Sequence, residues 1–155
     1  MTPEAIEQIR SSYARLTATE RQLSGRFYEK LFAAAPNLRR LFPADLTVLQ
    51  GHFEAALALV IRNLGEMEAL REPLRDLGAQ HVHWGARPED YETAREALIA
   101  AIGSLSPSWN ADLEGHWRAA VTAIIVPMIE GAAVHTALEA ERIGGADPQG
   151  RPQEK

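Results

Sequence analysis

The stretch Leu77-Gly78-Ala79-Gln80-His81-Val82-His83-Trp84-Gly85-Ala86-Arg87-Pro88-Glu89-Asp90-Tyr91 decides how this chain is read. With Leu74 just upstream, Leu77 and His81 follow at helical spacing, so a helix sets all three on one face and His81 completes an apolar stripe. Gly85 stops that helix. Pro88-Glu89-Asp90 then opens another, with acids in the first turn where the helix dipole favours them. An imidazole aimed from an apolar stripe into a core needs a partner at each nitrogen. Two readings satisfy that need. One is a buried histidine hydrogen-bonded to backbone; the other is a ligand to a metal, whose second ring nitrogen is held by a carbonyl or a side chain.

Outward from this stretch the periodicity stays helical. No run alternates with period two, and β-branched clusters are scarce, which predicts an all-α fold of roughly six to eight helices. Thr2 caps an opening helix from Pro3, with Ile6, Ile9, Tyr13 and Leu16 on one stripe. Thr17-Ala18-Thr19-Glu20 has capping-box spacing and predicts a second helix carrying Leu23, Phe27 and Leu31, with Tyr28 and Phe32 alongside. Pro36 begins a short helical turn through Leu38, Leu41 and Phe42, closed by Pro43. Asp45 or Thr47 caps a helix with the stripe Leu46, Leu49, Phe53, Leu57, Val60, Ile61 and Leu64, which Gly65 ends. The helix after Pro88 buries Tyr91, Leu98 and Ile102 and stops near Gly103; Ser104 to Pro107 forms a loop. A last helix carries Leu113, Trp117, Val121, Ile124, Ile125, Met128 and Ile129, with a local kink expected at Pro127.

The chain has 155 residues, 16 Lys+Arg against 21 Asp+Glu, five His and no Cys. That length suits one domain, read as residues 1–142, followed by a Gly-, Pro- and charge-rich tail at 143–155 expected to be disordered. A net charge of -5 argues against nucleic acid as a partner, because phosphate binding needs a basic surface. Without Cys there are no disulfides, thiolate zinc sites, iron–sulfur clusters or cysteine nucleophiles. The N-terminus has acids early and no signal-peptide core, and the apolar run Ala119 to Ile129 is too short to span a bilayer. The expectation is a cytoplasmic protein with no membrane partner.

The residues around His81 also resemble a known family. Leu-Gly-x-x-His, an aromatic three residues later, Gly at four, Pro at seven and Tyr at ten is the proximal pattern of bacterial single-domain haemoglobins and of flavohaemoglobin globin domains. Arg26-Phe27-Tyr28-Glu29-Lys30-Leu31-Phe32, Pro36 and Leu41-Phe42-Pro43 are similar to the family's second block, and Trp117 matches a Trp in its last helix. The resemblance spans roughly residues 3 to 135. It implies a globin fold packed around haem b, with His81 as the metal ligand. Further cofactor contacts come from Tyr28, Phe42, Leu49, Phe53, Leu77 and Tyr91. Tyr28 is then the distal donor to a ligand at the iron, where plain packing with a rim hydroxyl is the alternative. Phe42 is the aromatic that packs on the porphyrin. Tyr91 stands where the family sets a tyrosine against the proximal histidine, or else simply packs.

Departures from the family pattern matter too. An ungapped count places Leu49 at the distal position and Phe53 one turn on. Shifting by one would use Gln50, the family's usual residue type there, but would put the Glu54 charge against haem. Glu130 falls two residues from the place of the family glutamate that supports the proximal tyrosine. His52 is set at the rim, as a propionate partner or a sixth ligand; His83 is expected at the solvent or near a propionate, and His116 and His135 at the surface. Arg87 is expected in solvent or on a propionate.

The function implied is a haem-b globin that binds oxygen, and with it CO or NO. Nitric oxide dioxygenation would then draw electrons from an external reductase, since the chain ends after the globin part. The alternative is a haem-based gas or redox sensor, an interaction module without turnover. A monomer and a homodimer are both compatible with the sequence.

Overall fold

Three helices begin with a proline at their first position, where a missing N–H costs nothing and a fixed φ is already helical. They start at Pro3, Pro36 and Pro88. A computed structural model describes residues 1–19 and 22–144 of the chain, and among them every regular element is helical. The helices are α1 (Pro3–Leu16), α2 (Gln22–Ala34), α3 (Thr47–Arg62), α4 (Arg71–His83), α5 (Pro88–Leu105) and α6 (Ala111–Gly144). Short 3-10 segments at Pro36–Leu41 and Leu64–Leu70 flank α3. The all-α expectation holds.

The Thr2 hydroxyl accepts from the Ala5 N–H at 3.1 Å, as its cap position requires. Thr17 does not start α2. Its N–H and its hydroxyl both donate to the Tyr13 carbonyl at 3.0 Å, so it closes α1 instead. The Glu20 half of the expected capping box lies outside the described residues. At α3 neither Asp45 nor Thr47 holds the cap position: Leu46 does, without a side-chain cap bond, and Thr47 is the first helical residue. Asp45 Oδ1 accepts from the Thr47 N–H at 3.0 Å just ahead of it.

Gly65 does not end α3; the helix stops at Arg62. Asn63 Nδ2 donates to Leu59 O at 2.7 Å, and the Arg10 guanidinium donates to the carbonyls of Ile61 and Arg62 at 3.2 and 3.0 Å. Those carbonyls have no partner within the helix, so the side chains that serve them set its end. Likewise Gly103 does not stop α5, which runs on to Leu105. A Cβ at Gly103 would lie 3.0 Å from the Trp109 indole, so this glycine makes room for a ring.

The core gathers one stripe from nearly every helix: Ile9, Leu16, Leu23, Phe27, Leu31, Leu57, Ile61, Leu98, Ile102, Trp117 and Val121. Each such aliphatic or aromatic side chain contributes about 1.5–3 kcal/mol on leaving water. Trp117 is fully buried, and its indole N–H donates to Ser12 Oγ at 3.1 Å, tying α6 to α1. Leu74, Tyr91 and Met128 form a second, smaller cluster.

α6 stays helical on both sides of Pro127 and continues through Ile143 and Gly144, two residues into the segment read as tail. The rest of that tail lies outside the described residues. Because α6 has 34 residues, it is long and apolar enough to cross a membrane by length and composition, which the apolar run ending at Ile129 did not suggest. Trp117, Ala120, Val121 and Met128 nonetheless pack into the interior, while Val126, Ile129, Val134, Leu138 and Ile143 are exposed on it.

Candidate functional site

The C-terminus of α4 carries the histidine of interest and is closed by a Schellman motif. Ala86 N–H donates to His81 O at 2.9 Å and Gly85 N–H to Val82 O at 3.0 Å. This closure needs a left-handed residue, and Gly85 has φ +100°. Seven residues on from Leu74, His81 continues the apolar row and is half-buried, as is its neighbour Val82.

His81 Nδ1 lies 2.8 Å from Leu77 O. A carbonyl oxygen only accepts, so Nδ1 carries the proton and Nε2 keeps its lone pair. Burial lowers the histidine's pKa, with the Leu77 bond opposing in part, so the ring is neutral at pH 7. No described residue makes a hydrogen bond to Nε2. Around the ring stand Trp84, at 5.0 Å between centroids, and Tyr91, at 6.4 Å. Trp84 itself is 55% exposed.

Tyr91 sits in the first turn of α5, which the Asp90 carboxylate holds by accepting from the Arg87 N–H at 2.8 Å. Its ring packs with Leu74, Leu77 and Met128. Its hydroxyl is buried with no hydrogen-bond partner among the described residues. Burial raises its pKa, helped by the neighbouring Asp90 charge. Glu130 is elsewhere, 3.4 Å from Arg71 in an exposed pair, consistent with its misaligned place in the sequence.

A second group of residues gathers on α2, α3 and the 3-10 segment Pro36–Leu41. Phe53 stacks on Phe27 at 4.7 Å, and the Tyr28 ring contacts Phe27, Phe32, Phe42 and Phe53 at 5.2 to 6.1 Å. Tyr28 is buried, its pKa raised by desolvation, and its hydroxyl makes no hydrogen bond to a described residue. Leu49 is half-buried and packs on the same cluster. Gln50 turns toward α2, its Nε2 3.7 Å from where a Gly25 Cβ would stand. Glu54 also faces α2 and accepts from the Ser24 N–H at 3.3 Å. Sequence reasoning passed over Arg39. Its guanidinium donates to the carbonyls of Phe42, Pro43 and Ala44 at 3.3, 2.8 and 3.0 Å and lies 5.2 Å over the Phe32 ring, fixing the corner that presents Phe42. Nothing in the local pattern marks that role.

The predicted site residues thus fall into two groups. Tyr28, Phe42, Leu49 and Phe53 share one apolar wall; Leu77, His81 and Tyr91 share another. No ring contact joins the two among the described residues, and Met67, Leu70, Ile124 and Ile125 pack on both clusters. His52 and His83 are exposed, and His116 and His135 are half-buried on α6. Arg87 lies 3.4 Å from Glu89 and 3.8 Å from Asp90.

This chemistry suits a cofactor-borne metal. A bare ion takes three or four protein ligands, and no group of three His, Cys, Asp or Glu side chains stands together among the described residues. A single neutral imidazole with a free Nε2 fits a metal whose remaining positions are largely filled by a macrocycle, and the two apolar walls suit a flat, greasy ring.

Comparison with known proteins agrees. A family model described as Globin matches residues 25–128. A flavohemoprotein of Rhizobium meliloti (strain 1021) is 32% identical over 80 residues, which cover 49% of this chain and only 20% of that protein. A Casuarina glauca protein named anaerobic nitrite reductase HBII is 24% identical over 140 residues, 80% of this chain and 88% of the relative. Among solved structures, a Campylobacter jejuni bacterial globin superposes with a TM-score of 0.72 at 20% identity, over 89% of this chain and 99% of its own. An engineered carbene transferase from Rhodothermus marinus gives 0.75 at 22% identity, over 90% and 99%. At such identities the structures establish the fold.

Proposed function

The chain belongs to the globin family, and from that premise we propose that it holds haem b through His81 and binds oxygen, with CO and NO as competing ligands. The observation that carries this reading is the His81 ring: neutral, tied through Nδ1 to Leu77 O at 2.8 Å, with Nε2 free to donate its electron pair. When bound, haem supplies an iron with an open position for a diatomic ligand. A sequence without Cys has no thioether attachment, so the porphyrin is held by packing and by the one histidine.

The residues of this chain then divide the work. Leu77 O orients the imidazole and makes it a better electron donor. Phe42, Leu49, Phe53 and Leu77 exclude water from the macrocycle. The Tyr28 hydroxyl, with no hydrogen-bond partner among the described residues, donates to a bound ligand, a bond that strengthens as negative charge gathers on the ligand. A donor of this kind favours oxygen over CO.

Nitric oxide dioxygenation follows from the same arrangement: oxygen, nitric oxide and one electron yield nitrate. The electron comes from a separate reductase, and the setting is the cytoplasm. A gas sensor is the second reading, favoured by the apolar side chains exposed along α6; a ligand-dependent change in oligomer size would support it.

The deciding experiment is spectroscopic. Purified protein titrated with hemin is expected to develop a Soret band at one equivalent, with ferrous and ferrous-CO spectra of a histidine-ligated haem. In His81→Gly the histidine-ligated spectrum is lost and free imidazole restores it. A wild-type protein that takes up no hemin, or a His81→Gly spectrum identical to wild type, would overturn the proposal.

A further inference from the structure

The α4 and α6 backbones touch. A Cβ built on Gly78 of α4 would lie 1.9 Å from Met128 O and 2.6 and 2.7 Å from its carbonyl carbon and Cα. A Cβ on Gly131 of α6 would meet Arg75 O at 1.9 Å and the Arg75 carbonyl carbon and Cα at 2.5 and 2.6 Å. The crossing is reciprocal, because Arg75 and Gly78 are one turn apart on α4, as Met128 and Gly131 are on α6. Every obstructing atom is backbone, so none can swing aside. Since real Cβ contacts essentially never fall below 3.0 Å, widening 1.9 Å to that limit moves the helices apart by more than 1 Å for a single methyl group.

We infer that Gly78 and Gly131 are positioning residues that set how far His81 reaches toward its iron. The inference rests on the haem reading above. His81 is three residues beyond Gly78, about 4.5 Å further along the axis, so it moves with that part of α4. Beyond it the Schellman closure at Gly85 ties the His81 carbonyl to Ala86. The imidazole is therefore carried by a short, stiff piece of helix between two fixed points. α6 is an equally firm support, because Trp117, Val121 and Met128 bury its inner face. Met128 acts at both levels: its backbone bears on Gly78, and its side chain packs with Leu74 and Tyr91 beside the histidine. A methyl group on either glycine would point at helix backbone, that of Met128 or of Arg75. Each acts through the separation of two helices, and a methyl group on either withdraws the imidazole or tilts it.

Gly131→Ala and Gly78→Ala test this in the hemin-loaded protein, with Gly65→Ala and Gly115→Ala as controls whose new methyl meets nothing within 4 Å. The readouts are the ferrous iron–histidine stretching band and the rate of hemin transfer to an excess of a scavenging apoglobin. Either crossing variant is expected to shift the band and speed hemin loss at least tenfold, while both controls match wild type. A purely structural role would lower the melting temperature and leave the band alone, which overturns the inference. The decisive arm repeats Gly131→Ala in a His81→Gly background with free imidazole as the iron ligand. An imidazole no longer tethered to α4 should give the same band with or without the Gly131→Ala change, and hemin loading should recover even where Gly131→Ala alone binds none. A defect that free imidazole leaves uncorrected is general misfolding and refutes the proposal. Failure of wild-type protein to bind hemin at all would instead refute the haem reading, and this inference falls with it.

Discussion

Replacing Tyr91 by Phe should make the haem-free protein more stable. The Tyr91 side chain is 7% exposed, and its hydroxyl is buried without a hydrogen-bond partner among the described residues. Leaving such a group unsatisfied costs about 1–3 kcal/mol, and phenylalanine removes the cost while keeping the ring. Against this stands the void left by one oxygen. At about 24 cal/mol per Å³ and roughly 15 Å³, that penalty is near 0.4 kcal/mol, so the removal of the hydroxyl wins. The net gain is about 0.6–2.6 kcal/mol, and for a domain of this size each kcal/mol raises Tm by roughly 2–4 °C. Urea unfolding of the apoprotein, followed by circular dichroism, would show a higher midpoint at constant slope. A midpoint that is unchanged or lower would mean that the hydroxyl is satisfied after all, and the account of Tyr91 would be wrong. The same pair measured with hemin adds a second reading: a smaller gain, or a loss, would show that the hydroxyl finds its partner once haem is present.

Tyr28→Phe keeps the aromatic wall and deletes only the donor. A hydrogen bond to a charge-bearing acceptor contributes about 1.5–3 kcal/mol, so the oxygen off-rate of the loaded protein should rise roughly tenfold to a hundredfold by flash photolysis. An unchanged rate would remove Tyr28 from the binding role. Gly85→Ala forces a methyl into a left-handed conformation and against Leu41 Cδ2, 3.0 Å away. The strain of about 1–2 kcal/mol should lower the apoprotein Tm, and a Tm equal to wild type would contradict the closure described for α4.

Much of the fold was legible because its punctuation is local. Pro3, Pro36 and Pro88 start helices by chain geometry alone, and Thr2 caps the first of them through a bond three residues long. The apolar stripes likewise report which face is buried. His81 stood out because a polar ring closed an apolar row, and it is indeed half-buried with Nδ1 satisfied.

What sequence reasoning missed depends on partners distant in the chain. α3 ends where Arg10, 51 residues away, takes the Ile61 carbonyl, so a rule about the next glycine could not find it. Gly103 read as a stop and is a berth for Trp109. Gly78 was part of the pattern around His81, but its physical reason is the Met128 backbone, and Gly131 carried no local signal at all. Arg39 was passed over for the same cause: the three carbonyls it gathers lie on an irregular corner whose shape is known only once folded.

The bond between Trp117 and Ser12 spans 105 residues of chain, and that distance is also a time. With synthesis at about 5–20 residues per second, the serine waits roughly 5–20 s for its indole. Through that interval Ile9 and Leu16, which finish in the same core as Trp117, have no α6 to cover them. During translation the α1 segment therefore carries an apolar stripe with nothing yet to bury it. Slowing synthesis would lengthen its exposure, and the fold becomes fully closed only when the last helix arrives.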